Sequence, residues 1–397
     1  MNKELIDPFM ILPAALTDRL RGLAGEAERI GHLHPDQLAI IYERGWFNLY
    51  VPRAYGGLEL SLPEGLRIEE ELAWVDGSLG WTVTLCSGAN WFVGFLRPEL
   101  ARELFADRRV CLAGSGRPDG VARVIGEEGA GSDGPEVEPE DGPGEGTGSY
   151  YEVTGSWKYA TGAPHATAFT ANCRIEKDGV LLENEDGSPV VRAFLFLREE
   201  VMIEEDWDVI GMIATASHSF AVRGLRVGED RCFAIDGRAA FLPQAIYQYP
   251  FQAFAEATLA VNHLGMATRF FELYGEMEGV RGARERLGIV RETFYAIVQA
   301  SWEECVRKSD GRPRQRGADG PMEGEGDDGG AGISSELLTA VGEVSRRLAE
   351  ESRRLVDELY PYCGLRAARP ATEINRVWRD LHTASQHPLL KMPDDRC

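Results

Sequence analysis

The sequence is poor in positive charge. Its 397 residues include 42 lysines and arginines against 64 aspartates and glutamates, which gives a net charge of -22. Nucleic-acid binding depends on a concentrated basic surface that neutralises phosphates, and no stretch of this chain provides one. We therefore expect no nucleic-acid partner.

Long hydrophobic runs are lacking as well. No apolar stretch approaches the roughly 20 residues that a membrane-spanning helix needs. The first residues, MNKELIDPFMILPAAL, contain no clear cleavage site of a secretory signal. We therefore predict a soluble, cytoplasmic protein without a membrane partner.

Closely spaced cysteines are also missing. The seven cysteines are scattered, odd in number, and none belongs to a CxxC pair. Zinc sites and disulfide frameworks are recognised in sequences by regular cysteine spacing, and no group of His, Asp or Glu has metal-ligand spacing either. We expect no metal site, no disulfide framework, and thiols that are buried or unused.

What the sequence does contain is a division into three blocks. Apolar residues recur at helical spacing up to about residue 110, and again from about residue 251. Between them, short alternating runs are broken by Gly, Asp and Pro, which is typical of a small antiparallel β-domain. We predict an N-terminal helical domain over 1–110, a central β-domain over 111–235 and a C-terminal helical bundle over 236–397.

Two polar insertions interrupt these blocks, at 126–148 and 308–332. The first has eight acidic residues and no basic one, so it has too little apolar surface to offset the entropy cost of ordering. Its stretch GEEGAGSDG has the glycines of a phosphate-binding loop, but eight carboxylates would repel a phosphate and no helix follows. We predict surface loops for both insertions.

Four motifs follow one another along the chain. They are VPRAYGGLELS followed by EELAWVDGSLGW (51–81), YEVTGSWKYATGAPHA (151–166), WDVIGMIATASHSFAVRGLRV (207–227) and INRVWRDLHTASQH (374–387). In content and order they resemble the acyl-CoA dehydrogenase superfamily. The resemblance covers nearly the whole chain. It implies an α+β fold with an N-terminal α-helical domain, a central antiparallel β-domain and a C-terminal four-helix bundle. It also implies a flavin held between the β-domain and the bundle, in a homotetramer.

The stretch TGSWKYATGA has the residue types of a flavin site. A flavin ring needs a flat apolar slot and a few hydrogen-bonding groups. Trp157 and Tyr159 can supply an aromatic wall, and Thr161 follows two residues later, on the same side of a strand. By the resemblance, Thr161 meets flavin N5 and O4, and Ser217 is predicted to assist. Alternatively, Trp157 and Tyr159 only cover the β-domain.

The identity of the flavin is open, because two superfamily features are altered. RERLG (284–288) is similar to the superfamily's Arg-x-x-Phe-Gly element, whose arginine reaches the FAD pyrophosphate of a neighbouring subunit, but it has Leu287 in place of Phe. Arg284 is therefore a candidate cofactor contact. Ile213 stands where the superfamily often has Arg. The cofactor is FAD or FMN, either bound tightly or taken up in reduced form.

The terminal motif decides the chemistry. In most acyl-CoA dehydrogenases a glutamate about eight positions after the Arg-Asp pair removes the α-proton of the substrate, but Pro388 stands here, beside His387. RDLHTASQH, and His165 in ATGAPHA, resemble instead the two-component flavin-dependent monooxygenases of the superfamily, which receive reduced flavin from a separate reductase. Glu256 and Glu272 are nominal candidates for a relocated base.

His387 and Thr161 are the predicted catalytic residues. If residues 376–390 are helical, Asp380 and His387 leave from nearly the same face, because seven positions make about two turns. Imidazole titrates near neutrality, which suits acid/base work toward a substrate or a peroxide. His382, five positions from His387, points elsewhere and is predicted to be structural.

Simpler roles are open for several residues. Arg376 and Asp380 are four positions apart and can form an ion pair on one helix face, and Arg379 can take part in the same way. His165 can be an ordinary turn residue. Four other histidines look isolated and favour core or surface roles: His32, His34, His218 and His263.

The substrate pocket is expected along LCSGANWFVGFL (85–96). In the family, residues of this segment line the pocket, which makes Asn90, Trp91 and Phe95 candidate substrate contacts. An apolar stripe at helical spacing is more often core. Nothing in the sequence identifies the substrate.

Three functions are compatible with these observations. The leading one is a monooxygenase that uses reduced flavin and O2 on a small aromatic or heteroatom compound, with a separate flavin reductase. The second is an acyl-CoA dehydrogenase with FAD and a relocated base. The third is a non-catalytic binding or assembly protein on the same fold. The missing glutamate argues against the second, and the retained aromatic and hydroxyl groups argue against the third.

Overall fold

A computed structural model describes residues 12–125, 150–276, 279–310 and 332–391. The first insertion, 126–148, lies outside the described residues, as does most of the second. Helical structure continues to Asp310, so the second insertion begins later than predicted. None of the helices in the described ranges is both long and apolar enough to cross a membrane.

The N-terminal block consists of helices. They are α1 (Ala14–Ile30), α2 (Pro35–Arg44), α3 (Leu62–Val75), α4 (Gly77–Asn90) and α5 (Pro98–Leu104). Ser61 begins α3 with a capping box, in which the Glu64 carboxylate accepts from the Ser61 backbone amide at 2.9 Å. Asp76 begins α4 by accepting from the Leu79 amide at 2.9 Å. Most residues of α4 are buried, as expected of a helix that is apolar on all sides.

The central block is one twisted sheet. Its strands are β1 (Leu112–Ile125), β2 (Tyr150–Ala160), β3 (Ala168–Lys177), β4 (Val180–Leu181), β5 (Val191–Leu197), β6 (Met202–Glu204), β7 (His218–Gly228) and β8 (Cys232–Phe233). Their spatial order is β6-β7-β2-β1-β3-β5-β8, with β4 on β3.

The sheet is not purely antiparallel, which corrects the prediction. β1 and β3 pair in parallel, whereas the other strand pairs are antiparallel. After β2 the chain crosses one end of β1 and reverses direction to form β3 on the other side of β1. Because β2 is antiparallel to β1, β3 runs in the same direction as β1. The connection that makes this crossing contains Thr161 and His165, and it therefore lies at one end of the sheet.

The C-terminal block is again helical, with α6 (Phe251–Tyr274), α7 (Val280–Asp310), α8 (Ser335–Leu359) and α9 (Glu373–Ala384). α6 packs on both α3 and α8, so it joins the two helical blocks. One hydrophobic core runs through both blocks, and a second lies within the sheet. The division into domains 1–110, 111–235 and 236–397 is compatible with these element bounds and stays a prediction.

Candidate active site

Three buried hydroxyl groups form a chain at the end of β2. Thr161 Oγ1 lies 2.8 Å from Ser217 Oγ, and Ser217 Oγ lies 2.8 Å from Thr215 Oγ1. Thr215 donates to the Met212 carbonyl at 2.8 Å, which uses its only hydroxyl proton. Ser217 must therefore donate to Thr215, and Thr161 must donate to Ser217. This hydroxyl chain leaves the Thr161 oxygen able to accept one further hydrogen bond.

Tyr159, predicted to belong to an aromatic wall beside Thr161, lies in a bulge of β2. Tyr159 adopts a left-handed φ of 69°, and the register between β2 and β7 shifts between Trp157 and Ala160. This bulge breaks the strand alternation on which the prediction depended. Tyr159 is 60% exposed and meets Trp207 edge-on, with ring centroids 6.0 Å apart. It therefore offers an accessible aromatic surface near the hydroxyl chain.

Trp157 is not available to a flavin, and its prediction as a cofactor contact is corrected. Its side chain is completely buried in the core of the sheet, stacked on Phe220 with centroids 5.2 Å apart. Its indole N–H donates to the Asn172 carbonyl at 3.0 Å. Trp157 therefore fits the alternative interpretation, that its side chain only covers the β-domain.

Asp380 of α9 reaches the loop that precedes β7. Its Oδ1 accepts from the backbone amide of Met212 at 2.5 Å, while its Oδ2 is buried without a hydrogen-bond partner in the described part of the chain. The pKa of Asp380 rises to about 7 because of burial and the nearby Asp76. A Cβ on Gly77 would lie 3.1 Å from Oδ2, so α4 begins in close contact with α9.

The arginines of the terminal motif form ion pairs, but not the predicted one. Arg376 lies 3.5 Å from Asp76 and 4.0 Å from Glu28, rather than pairing with Asp380 on its own helix. Arg379 pairs with Glu28 at 2.6 Å and donates to the Ile210 carbonyl at 2.6 Å. These contacts fasten α9 to α1, to the start of α4 and to the loop before β7.

His387 lies beyond the end of α9, which stops at Ala384. The helical premise of the prediction is therefore wrong, because His387 is in an extended conformation before a short turn. Its ring packs edge-on against Trp81 of α4, with centroids 5.9 Å apart. Its Nδ1 is buried and has no hydrogen-bond partner among the described residues.

A second imidazole lies on another side of Trp81. The ring of His263, on α6, is 6.4 Å from the Trp81 ring, and its Nδ1 donates to the Leu259 carbonyl at 3.1 Å. Burial lowers the pKa of both His263 and His387 to about 4, so both are neutral at neutral pH. Sequence reasoning treated His263 as isolated, because nothing in the sequence relates α6 to the terminal motif.

His382 has the structural contacts expected of it. Its Nδ1 lies 2.7 Å from the Trp378 carbonyl, and its Nε2 lies 2.8 Å from Asp357 Oδ1 on α8. Both ring nitrogens are therefore engaged within the bundle. His165, by contrast, stacks on Phe47 and leaves its Nε2 without a hydrogen-bond partner in the described ranges.

The sequence matches a known family at both ends. Residues 14–96 match the family described as acyl-CoA dehydrogenase, N-terminal domain, and residues 323–392 match acyl-CoA dehydrogenase, C-terminal domain. In these two segments the chain is similar to the acyl-CoA dehydrogenase family. The superfamily prediction from the four motifs is confirmed.

Two curated relatives of this chain are named monooxygenases. Indole-3-acetate monooxygenase of Pseudomonas putida is 27% identical over 315 residues, which are 74% of this chain and 73% of the relative. The flavin-dependent monooxygenase, oxygenase subunit HsaA, of Rhodococcus jostii (strain RHA1) is 23% identical over 393 residues, 94% of this chain and 92% of HsaA. The predicted likeness to the monooxygenase branch is confirmed.

Solved structures share the fold of this chain. The HsaA monooxygenase of M. tuberculosis superposes with a TM-score of 0.76 at 19% identity, covering 95% of this chain and 91% of HsaA. XiaF from Streptomyces sp., solved with FADH2 and glycerol, has a TM-score of 0.71 at 19% identity, covering 95% of this chain and 89% of XiaF. The acyl-CoA dehydrogenase-like α+β fold is confirmed.

The superfamily's usual carboxylate base has no free counterpart at the nominated positions. Glu256 is almost completely buried and pairs with Arg346 at 2.8 Å. Glu272 accepts from the Trp74 indole at 2.9 Å and pairs with Arg269 at 2.7 Å. Because both carboxylates are held by cations, neither is poised to remove a substrate proton.

Asn90 is structural, which corrects its prediction as a substrate contact. Its amide group donates to Asn48 Oδ1 at 2.7 Å and to the Val110 carbonyl at 3.1 Å. Its side-chain oxygen accepts from the Leu112 amide at 2.8 Å. The side chain is completely buried and joins α4 to the start of β1, so it has no free group for a ligand.

Trp91 and Phe95 line a cavity of about 320 Å³ at the junction of α4 with α6. Both side chains are nearly completely buried, and the Trp91 indole donates to the Ile246 carbonyl at 3.0 Å. Trp91 also stacks on Phe254, with centroids 5.2 Å apart. Their role as substrate contacts stays a prediction, and the stacking supports the core interpretation.

Arg284 makes contacts within its own chain. It pairs with Glu276 at 2.7 Å and donates to the Phe271 carbonyl at 3.3 Å, on the side of α7 near the end of α6. The side chain is 40% exposed, so the guanidinium keeps an accessible face. Its predicted contact with a flavin in a neighbouring subunit stays a prediction.

Proposed function

We propose that this protein is a flavin-dependent monooxygenase that uses reduced flavin and molecular oxygen to oxidise a small aromatic or heteroatom compound. A bound reduced flavin supplies two electrons, so that one oxygen atom enters the product and the other leaves as water. The observation that carries the proposal is the hydroxyl chain from Thr161 to Met212. The names of the monooxygenase relatives support it.

The hydroxyl chain suits the reduced form of a flavin. Because Thr161 donates to Ser217, its oxygen is left as an acceptor. Reduced flavin carries a hydrogen on N5 and can donate to such an acceptor, whereas oxidised flavin has only a lone pair there. Tyr159, exposed beside Thr161, would cover part of the ring. Either FAD or FMN meets these requirements, because both share this ring.

His387 is the residue that we assign to proton transfer. It is neutral, its Nδ1 has no hydrogen-bond partner in the described structure, and Trp81 packs against its ring. A neutral imidazole offers one acceptor and one donor, so it can take a proton from a substrate hydroxyl or ring N–H and return it.

We also propose the partners that this chemistry requires. Reduced flavin would be delivered by a separate reductase. The relative HsaA carries the words oxygenase subunit in its name. A homotetramer and a cytoplasmic location stay predictions.

The test is an anaerobic titration of the protein with FMN and FAD, each in oxidised and reduced form. We expect tighter binding of the reduced form of at least one flavin. On mixing that complex with oxygenated buffer, the absorbance of oxidised flavin should return more slowly than for free reduced flavin. Equal affinities with unchanged reoxidation would overturn the proposal, and bleaching of bound oxidised FAD by an acyl-CoA would identify a dehydrogenase instead.

A further inference from the structure

Two thiols and an imidazole meet on the far side of the turn that carries Thr161. Cys86 lies on α4, Cys111 directly precedes β1, and His165 follows Thr161 in the crossing to β3. One ligand atom from each, the two Sγ atoms and an imidazole nitrogen, all lie within 4.8 Å of one another. The three residues are far apart in sequence, so only the fold unites them.

The environment of this cluster leaves room between its ligand atoms. Both cysteines are completely buried, and His165 Nε2 has no hydrogen-bond partner among the residues that the structure describes. The His165 ring is fixed by a parallel stack on Phe47, with centroids 5.5 Å apart. A Cβ on Gly162 would lie 2.9 Å from Cys86 Sγ and 2.9 Å from His165 Nε2. A side chain at Gly162 would therefore collide with both atoms.

We propose that Cys86, Cys111 and His165 bind a divalent metal ion of the zinc class. Thiolate and imidazole are the ligands that zinc prefers, at about 2.3 Å for sulfur and 2.0–2.1 Å for nitrogen. Two sulfurs on one tetrahedral zinc lie about 3.8 Å apart, so atoms already within 4.8 Å need a shift of about 1 Å or less. Three protein ligands leave a fourth position for water.

Binding would release protons from the two thiols, because a dication deprotonates a coordinating thiol. Metal affinity should therefore rise with pH.

An occupied site would fasten the turn beside the proposed flavin contact. The Cys86 thiol donates to the Thr161 carbonyl at 3.6 Å, and the metal would displace this proton. It would then join α4, the start of β1 and the turn around Gly162 through one ion. The proposal does not depend on the monooxygenase proposal, because the ligands are not part of the hydroxyl chain.

The first experiment measures metal binding by the wild-type protein, purified metal-free under reducing conditions. Cobalt(II) is the probe, because thiolate ligation gives a charge-transfer band in the near ultraviolet and tetrahedral geometry gives intense visible bands. We expect one cobalt per chain and its displacement by one zinc. Absence of the charge-transfer band in the wild-type protein would overturn the proposal without any variant.

The second experiment assigns the ligands. Cys86→Ser and Cys111→Ser should each weaken binding and reduce the charge-transfer band, and the double variant should abolish the band. His165→Asn should weaken binding, whereas Cys173→Ser, which changes a buried thiol in the core of the sheet, should bind as the wild type does. Circular dichroism verifies that each variant is folded. Binding that survives the double cysteine variant places the metal elsewhere. Loss of two thiols on adding hydrogen peroxide, with no cobalt binding, would identify a redox pair in place of a metal site.

Discussion

The carboxylate of Asp380 accepts a 2.5 Å hydrogen bond from the backbone amide of Met212, which lies 168 positions earlier in the chain. The Met212 carbonyl also accepts the last hydrogen bond of the hydroxyl chain, from Thr215. Asp380 thus fixes the position of Met212, whose carbonyl ends the hydroxyl chain of the proposed flavin contact. Its role is positioning, and its own titration has a measurable effect on stability.

Asp380→Asn should make the free energy of unfolding fall more steeply as pH is lowered. The folded pKa of Asp380 is raised to about 7, so its contribution to stability is present below the unfolded pKa and lost as pH rises through 7. His263 and His387, with folded pKa values lowered to about 4, contribute stability above their unfolded pKa that is lost as pH falls. Between pH 4 and 6.5, Asp380 therefore lowers the free energy of unfolding as pH rises, whereas the two histidines raise it.

Removing one of these groups changes the pH slope of the free energy of unfolding by about 1.4 kcal/mol per pH unit, in the same window. Asp380→Asn should raise the slope, and His387→Gln should lower it. Urea unfolding at several pH values measures both. If the two variants shift the slope in the same direction, the assigned ionisation states are wrong.

Thr161→Val should weaken the binding of reduced flavin by about tenfold, which corresponds to one hydrogen bond. The affinity for oxidised flavin should fall less, because the wild-type Thr161 hydroxyl already donates its proton to Ser217. Anaerobic titrations followed by flavin absorbance measure both constants. The matched control is Thr258→Val, a buried threonine of α6 that donates to the Ala255 carbonyl at 3.1 Å.

Ser217→Ala should reduce the difference between the affinity for reduced flavin and the affinity for oxidised flavin. Without the Ser217 oxygen, the Thr161 hydroxyl is free to donate to the lone pair of an oxidised flavin. The affinity for oxidised flavin should therefore rise relative to that for reduced flavin, measured in the same titrations. An unchanged ratio would show that the orientation of the hydroxyl chain does not select the redox state.

His387→Ala should lower product formation by about 100-fold or more, the usual contribution of a positioned acid or base. Reduced-flavin binding should be kept, so the oxygen consumed should appear as hydrogen peroxide. The assay uses any phenol or indole that the wild-type protein oxidises. His34→Asn, which keeps an N-cap on α2, is the control. Loss of flavin binding in His387→Ala would mean that the residue is structural.

Arg376→Ala should destabilise the protein by about 3 kcal/mol, because it leaves the buried carboxylate of Asp76 without its cation. Arg354→Ala removes an exposed arginine that pairs with Glu351 and Glu358 on one face of α8, and it should cost about 1 kcal/mol or less. Denaturant unfolding of the two variants compares them. Equal losses would mean that the Asp76 charge is compensated by another group.

The sequence motifs were sufficient for the fold and for part of the site. Thr161 and Ser217 were selected from separate motifs 56 positions apart, and the structure brings their hydroxyl oxygens to 2.8 Å. The succession of helical, alternating and helical patterns was enough to predict the order of the three blocks. The parallel pairing of β1 and β3 was not predictable, because strand periodicity carries no information about direction.

The errors have local causes. A left-handed residue at Tyr159 breaks the alternation of β2, and α9 ends at Ala384, three residues before His387. A bulge and a helix end are set by contacts with neighbouring elements, so periodicity alone misses them. The cluster of Cys86, Cys111 and His165 escaped notice for another reason, because metal-ligand spacing in sequence detects only sites formed by neighbouring residues.

The burial of α4 on all sides fixes the length of that helix. It meets Asp380 at Gly77 and His387 at Trp81, on nearly one face, and the turn after β2 at Cys86, on the opposite face. Inserting or deleting one residue within α4 would rotate every later contact by about 100°. Length variation among natural versions of this protein should therefore be absent from α4 and accumulate in segments such as 126–148.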